Sequence, residues 1–152
     1  MKKINNKNAG FSLVELIVVI AIMAVLVGVL APTLVRNVER SRESVDIQTL
    51  DTVRSSVVTA LSTEHVNAAV AEEGITTSSP YVKKLDDIKT ATTGLSKELQ
   101  EELQADDVLE ASFKSKACKN AKIKITISAE GKVKVEADGA GTTRSGISMV
   151  VE

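Results

Sequence analysis

The sequence predicts an α+β protein in which one long N-terminal helix packs on a small antiparallel sheet. Three observations predict this fold class: an unbroken apolar run near the N-terminus, a helical apolar spacing after it, and an alternating pattern near the C-terminus. The 152 residues, 43% apolar and 26% charged, suffice for one small domain. We expect a long helix over 11–62 with an apolar segment at 11–31, a head over 63–152, and a β-meander at about 122–152.

The apolar run extends from Phe11 to Ala31, and Glu15 is its only ionisable residue. A helix of these 21 residues is about 31 Å long, the thickness of the hydrocarbon core of a bilayer. The run therefore predicts a membrane-spanning helix. Three lysines precede it and three arginines follow closely, so the basic residues alone leave its orientation open.

A second stretch, from Val35 to about Leu61, has helical spacing. Its apolar residues recur mostly at intervals of three, four or seven, which predicts a helix that buries one face. This stretch should continue the membrane helix and contribute that face to the core of the head. The apolar positions are Val35, Val38, Val45, Leu50, Val53, Val57 and Leu61, and the charged residues between them are Arg36, Arg40, Arg42, Glu43, Asp46 and Asp51.

The first part of the head contains a loop and a short helix. The polar segment Glu72–Pro80 is rich in turn-forming residues and predicts a loop. Leu95, Leu99 and Leu103 are four residues apart, which is typical of one face of a helix, and Ser96 is a candidate cap.

The last thirty residues change to the period of strands. Apolar and polar residues alternate in Lys122–Ser128 and again in Lys132–Glu136, and Ala129-Glu130-Gly131 predicts a tight turn between them. A glycine-rich loop then leads to a third predicted strand, which carries Ile147, Met149 and Val151.

Composition excludes several classes of function. The net charge of −1 gives no overall attraction to nucleic acid. One cysteine, Cys118, cannot form an internal disulfide, and with the single histidine, His65, it forms no recognisable metal-binding or catalytic set. We therefore expect no metal, no cofactor and no catalytic residues. A weakly basic region leaves nucleic-acid contact open but disfavoured, and it consists of Lys83, Lys84, Lys114, Lys116, Lys119, Lys122 and Lys124.

The junction before the apolar run carries a specific motif. The segment Gly10-Phe11-Ser12-Leu13-Val14-Glu15-Leu16, with the apolar run and Pro32 after it, resembles the prepilin signature of type IV pilins and pseudopilins. The resemblance covers residues 1 to about 35. It implies that residues 1–10 are a leader peptide and that a membrane-embedded prepilin peptidase cuts after Gly10. It also implies N-methylation of Phe11, the new amino terminus.

Glu15 needs an explanation because a carboxylate in a bilayer costs about 2.5–3.5 kcal/mol at mid-membrane and less near the interface. Cleavage would create an amino group on Phe11, four positions away. In a polymer, the amine of one subunit could pair with Glu15 of the next and set the register between subunits. The alternative is a glutamate at the membrane boundary whose side chain reaches water.

Gly28 and Pro32 weaken the helix locally, because glycine lowers helix stability and proline lacks a backbone donor. Membrane helices tolerate such residues as kinks, which is the simpler interpretation for a single subunit. The resemblance to assembled pilins implies a second role, in which the segment unravels in the filament and permits extension.

The resemblance implies a structural protein, not an enzyme: a type IV pilus subunit that polymerises with itself through its N-terminal helix. Its other partners would be the prepilin peptidase, the pilus assembly platform and, before assembly, the cytoplasmic membrane, with the head outside. The filament would lie on the cell surface and serve adhesion or twitching motility. The lone cysteine favours the disulfide-free pilins of Gram-positive bacteria. The alternatives are a pseudopilin of a type II secretion or competence (DNA-uptake) system and an uncleaved membrane-anchored binding module.

Overall fold

The computed structural model describes residues 11–143 and 148–152, and it confirms the predicted α+β class. The chain divides into two compact units, Met1–Asn37 and Val38–Glu152. Within the described ranges the helices are α1 (Leu13–Leu61), α2 (Glu64–Glu73), α3 (Leu85–Lys89) and α4 (Gly94–Ala105), and the strands are β1 (Tyr81–Lys84), β2 (Lys122–Ile127), β3 (Val133–Asp138) and β4 (Val150–Val151).

The described part of the first unit, residues 11–37, consists mainly of the N-terminal part of α1. Its apolar side chains are exposed, and no residue of its most apolar 18-residue window is buried. That window has a mean hydropathy of 3.1, so the helix is long and apolar enough to cross a membrane. The helix continues through Gly28 and Pro32 without interruption.

The second unit contains one four-stranded sheet with the order β1-β2-β3-β4, and every pair is antiparallel. The strands β2, β3 and β4 form the predicted meander. The third predicted strand is shorter than expected: β4 comprises only Val150 and Val151, while Ile147 lies outside the described residues. Sequence reasoning missed β1, because three of its four side chains are exposed and no apolar alternation marks it.

One hydrophobic core joins α1, α4 and the sheet within the second unit. Full burial of a Leu, Ile or Val side chain contributes roughly 1.5–3 kcal/mol, so this core accounts for much of the stability of the unit. The predicted inward positions are confirmed for most of these elements, and they include Leu50, Val53 and Val57 on α1, Leu95, Leu99 and Leu103 on α4, and Ile123, Ile125, Ile127, Val133 and Val135 on the sheet.

The predicted apolar face of α1 is wrong at its N-terminal end. Val35, Val38 and Val45 are exposed by 57%, 43% and 37% of their surface, so they do not belong to the core. The buried face instead follows a strict alternation of four and three residues along the helix. This spacing links Glu39, Glu43, Asp46, Leu50, Val53, Val57 and Ala60, and Ser56 is buried beside Val57. We call Glu39, Glu43 and Asp46 the acidic stripe.

Two carboxylates of the acidic stripe, Asp46 and Glu39, bind backbone amides of the segment between α4 and β2. Asp46 accepts hydrogen bonds from the amides of Lys114 (2.7 Å) and Ser115 (3.0 Å) through its two carboxylate oxygens. Glu39 accepts one from the amide of Lys116. Charge-assisted bonds of this kind offset the cost of removing a carboxylate from water. They also satisfy amides that no strand or helix would satisfy there.

Two further details of the head differ from the predictions. The segment after Leu61 forms α2 before the loop, and α2 ends at Gly74, which adopts a left-handed conformation (φ 69°). Ser96 is not the cap of α4, because the residue before the helix is Thr93 and Ser96 lies inside it. The Ser96 hydroxyl instead forms a 2.7 Å hydrogen bond with the hydroxyl of the buried Tyr81, which joins α4 to β1.

The acidic stripe yields a stability prediction. Asp46→Asn should lower the free energy of unfolding by about 1–3 kcal/mol, because the new amide NH₂ would face a backbone donor in a buried position. Asp51→Asn, at an exposed position of the same helix, is the matched control and should change it by less than about 0.5 kcal/mol. Chemical denaturation of the detergent-solubilised full chain measures both. Equal effects of the two variants would contradict the role of Asp46.

Candidate functional site

The first turn of α1 is held by a hydrogen bond that involves Glu15. Ser12 immediately precedes the helix, and its backbone amide donates to Oε2 of Glu15 at 2.9 Å. The carbonyl of Ser12 accepts from the amide of Leu16 at 3.2 Å, which is the first helical bond. This is one half of a capping box, in which a Ser at the N-cap is followed three residues later by Glu. Glu15 thus has a structural role within its own chain.

Apolar surface begins directly at this helix start. Phe11 is 78% exposed, and the side chains behind it on α1 are exposed on all sides. The predicted cleavage position Gly10 lies outside the described residues, so the geometry of the junction is given only for Phe11 onward. Phe11, the Glu15 carboxylate and the apolar surface therefore occupy the same end of one helix.

Gly28 and Pro32 are coupled by the geometry of the helix. Proline at 32 cannot donate to the carbonyl four residues earlier, which is that of Gly28, and its ring crowds that carbonyl. A Cβ atom at Gly28 would meet no other atom within 4 Å, so glycine is not required there by packing. The two residues together therefore define one weak point of α1, located inside the apolar part of the helix.

Comparison with known proteins adds a match to this same segment. The family model described as the prokaryotic N-terminal methylation motif matches residues 5–31. This match supports a similarity of the N-terminal segment to type IV pilin-like prepilins. The prepilin match includes Gly10, Phe11, Glu15 and Gly28, and it ends one residue before Pro32.

A relative extends the similarity beyond the prepilin segment. The chain is 35% identical over 78 residues to prepilin peptidase-dependent protein A of Clostridium perfringens, an alignment that covers 51% of this chain. The chain spans 56% of the length of that curated relative. No solved structure matches the chain.

The other residues considered in the sequence, the lone cysteine, possible metal ligands and the lysines, do not form a second site within the described residues. Cys118 is buried, and burial, the main cause, raises the pKa of its thiol, so the thiol is not activated as a nucleophile. Within residues 11–143 and 148–152, no three His, Cys, Asp or Glu side chains form a group that could hold a metal ion. Three lysines of the predicted basic region are engaged in ion pairs: Lys84 with Asp138, Lys122 with Asp86, and Lys124 with Glu136.

Sequence reasoning missed two functional features of α1. The Ser12 to Glu15 capping interaction was readable from the S-x-x-E spacing. The acidic stripe carried a weaker signal, because Glu39, Glu43 and Asp46 continue the three-four spacing of Leu50, Val53 and Val57.

The reactivity of the Cys118 thiol tests whether its burial makes it unreactive. In the native chain at neutral pH, Cys118 should react with an aromatic disulfide reagent at least about 100-fold more slowly than in denaturant, because reaction requires local opening. The control combines Cys118→Ser with Ser112→Cys, which places a thiol at an exposed position nearby, and it should react fast. Reaction of native Cys118 at the control rate would contradict its burial.

Proposed function

We propose that this protein is a structural subunit of a type IV pilus filament. It is made as a membrane-inserted precursor, cut after Gly10 by a prepilin peptidase and N-methylated on Phe11. It then assembles through the apolar part of α1 and performs no catalysis itself. The observation that carries the proposal is the exposed apolar helix that begins within the matched N-terminal methylation motif.

The exposed apolar surface of the helix has to be shielded from water both before and after assembly. Lipid covers it before assembly. Outside the membrane, burying apolar surface against neighbouring helices gains about 25 cal/mol per Å² relative to water, so the helices of other subunits are the natural replacement. Extraction from lipid gains no hydrophobic energy by itself, since lipid tails are as apolar as the side chains. Assembly therefore needs an external driver, and a pilus assembly platform is the proposed one.

Glu15 changes partner during this process. In the precursor its carboxylate accepts the hydrogen bond of the Ser12 amide. Cleavage after Gly10 would leave a cationic amine on Phe11, and this amine on one subunit pairs with Glu15 of the next. An unpaired carboxylate within the filament core would be strongly destabilising, so only a register that pairs each Glu15 with an amine is permitted.

The weak point at Gly28 and Pro32 has a proposed role in the same filament. The Gly28 carbonyl has no helical donor, so separating the helix there breaks fewer hydrogen bonds than elsewhere. Unravelling at this position would lengthen the subunit under load while the apolar turns on its N-terminal side stay packed.

The similarity to a named relative supports the proposed processing, and the apolar helix supports the proposed location. The name of the Clostridium perfringens relative describes dependence on prepilin peptidase, which supports the same processing here. The apolar helix supports a membrane anchor followed by exposure of the head at the cell surface, with a Gram-positive source as the expectation. A pseudopilin of a type II secretion or competence system shares the same N-terminal chemistry and remains the alternative. An uncleaved membrane-anchored binding module leaves the prepilin motif unexplained.

Processing is tested by a bulky residue at the junction. Gly10→Ile should abolish cleavage, because a side chain at that position would have to fit the peptidase site, and the precursor should remain in the membrane at full mass. Gly28→Ala is the matched control and should be cleaved normally, since its new Cβ meets nothing within 4 Å. Mass spectrometry of the membrane fraction after co-expression with a prepilin peptidase distinguishes the two. Cleavage of the Gly10→Ile chain would overturn the proposed processing.

The role of Glu15 is tested by two substitutions that separate capping from charge. Glu15→Gln keeps a side chain that can accept the Ser12 amide but loses the charge, whereas Glu15→Leu loses both. Both variants should be cleaved, and both should reduce the yield of sheared filaments at least about tenfold, because a buried amine would lack its partner. Normal filaments from Glu15→Gln would show that the glutamate acts only as a cap, and the register argument would fail.

A further inference from the structure

The structure separates the lysines of the head into two groups. Some have carboxylate partners, as described above. Five exposed lysines have no carboxylate of the described residues within ion-pair distance: Lys83, Lys114, Lys116, Lys119 and Lys132. Three of them, Lys114, Lys116 and Lys119, belong to one short segment, whereas Lys83 and Lys132 lie elsewhere in the chain. These three lysines are close together in the chain and lie in the irregular segment between α4 and β2.

The acidic stripe fixes these lysines beside α1. The amides of Lys114 and Lys116 donate to Asp46 and Glu39, and the Glu39 carboxylate also lies 3.6 Å from the guanidinium of Arg42. A turn follows, in which the amide of Lys119 donates to the carbonyl of Lys116. The carboxylates are buried, whereas the cationic side chains are exposed. Lys114, Lys116 and Lys119 are thus exposed cations of one short segment, and Arg42, which is paired with Glu39, lies on the helix that anchors this segment. We call these four residues the basic cluster.

The basic cluster is tied to residues that closely follow the apolar run. Glu39 lies eight positions after Ala31. Even a fully extended chain of that length cannot exceed about 28 Å. The headgroup region adds about 5–8 Å on each side of the hydrocarbon core. When α1 is inserted, the basic cluster is thus confined to the neighbourhood of the membrane surface.

We propose that the basic cluster docks on anionic phospholipid headgroups of the bilayer that holds α1, before the subunit is assembled. The inference rests on the membrane insertion contained in the proposed function, and it is independent of cleavage and filament formation. Basic residues held close to a bilayer that contains anionic lipids are attracted to its headgroups, and this attraction weakens with salt. Tethering by α1 supplies a high local concentration of headgroups, so individually weak contacts suffice. Assembly then has to release these contacts as well as extract the helix.

Phospholipid is a better partner for this surface than nucleic acid. The whole chain has a net charge of −1, so no long-range field gathers a polyanion from solution. The basic cluster has four cationic side chains, and Phe113, the one aromatic residue of the segment between α4 and β2, is half-buried. It therefore offers little for base stacking. A tethered lipid surface requires neither long-range attraction nor stacking.

The test uses the full chain in nanodiscs of phosphatidylcholine alone or with about one third phosphatidylglycerol. Lysine exposure is measured as the rate of acetylation by an uncharged reagent, resolved by mass spectrometry. In anionic discs at low salt, acetylation of Lys114, Lys116 and Lys119 should slow by about threefold or more, and 0.5 M salt should restore it. The exposed lysines Lys83 and Lys132 are internal controls and should keep their rates.

Matched variants test the basic cluster itself. Hydrogen exchange of the segment 106–121 should be slower in anionic than in neutral discs for the native chain. Changing Lys114, Lys116 and Lys119 to Gln should remove the difference, whereas changing Lys83, Lys97 and Lys132 to Gln should preserve it. This readout is independent of lysine chemistry.

Several outcomes would overturn the docking proposal. Equal acetylation in both discs would do so, and so would equal protection of Lys132. Protection of the cluster by a DNA duplex, with none from anionic lipid, would reassign the surface to nucleic acid. Failure of the chain to co-elute with either disc would instead refute membrane insertion, and the docking proposal and that step of the proposed function would fail together.

Discussion

The inward face of α1 between Glu39 and Ala60 is the constraint on which the second unit depends. Its first half is made of carboxylates and its second half of hydrocarbon, with one unchanged spacing. The hydrocarbon half forms the core with α4 and the sheet. In the carboxylate half, Asp46 and Glu39 accept hydrogen bonds from backbone amides of the irregular segment between α4 and β2. Successive parts of one helix thus make polar contacts and then apolar contacts. Together they attach the segment between α4 and β2, helix α4 and the sheet to α1.

Before Asn37, the same helix exposes its apolar side chains and does not bury them. There the apolar side chains are exposed on every side, so stability must come from lipid or from other subunits. Two local features are compatible with a transfer of this helix from lipid to contact with other chains. The Glu15 carboxylate forms its hydrogen bond within the first turn, and Pro32 leaves the Gly28 carbonyl without a helical donor.

The fold class and the strands β2 and β3 could be predicted from the sequence because strong periodicity reports burial directly. The alternating isoleucines of β2 and the leucines of α4 are examples, and both sets are buried. The prediction failed at Val35, Val38 and Val45, because apolar residues were assumed to be the buried ones. On this part of α1 the carboxylates of Glu39 and Asp46 are buried, since backbone amides donate hydrogen bonds to them. Ser96 was misjudged for a similar reason, since its partner Tyr81 is fifteen residues away. The N-terminal methylation motif could be recognised because it is contiguous in the sequence. Strand β1, in contrast, depends on pairing with β2 that no local pattern reveals.

The central claim is that the apolar helix belongs to a processed, assembling subunit. Intact mass and N-terminal sequencing of the protein in a sheared cell-surface fraction test it most directly. The account predicts a chain that begins at methylated Phe11, lacks the ten leader residues and is recovered in the sheared filaments. A chain that still begins at Met1 and stays in the membrane fraction would contradict it and would favour an uncleaved membrane-anchored module.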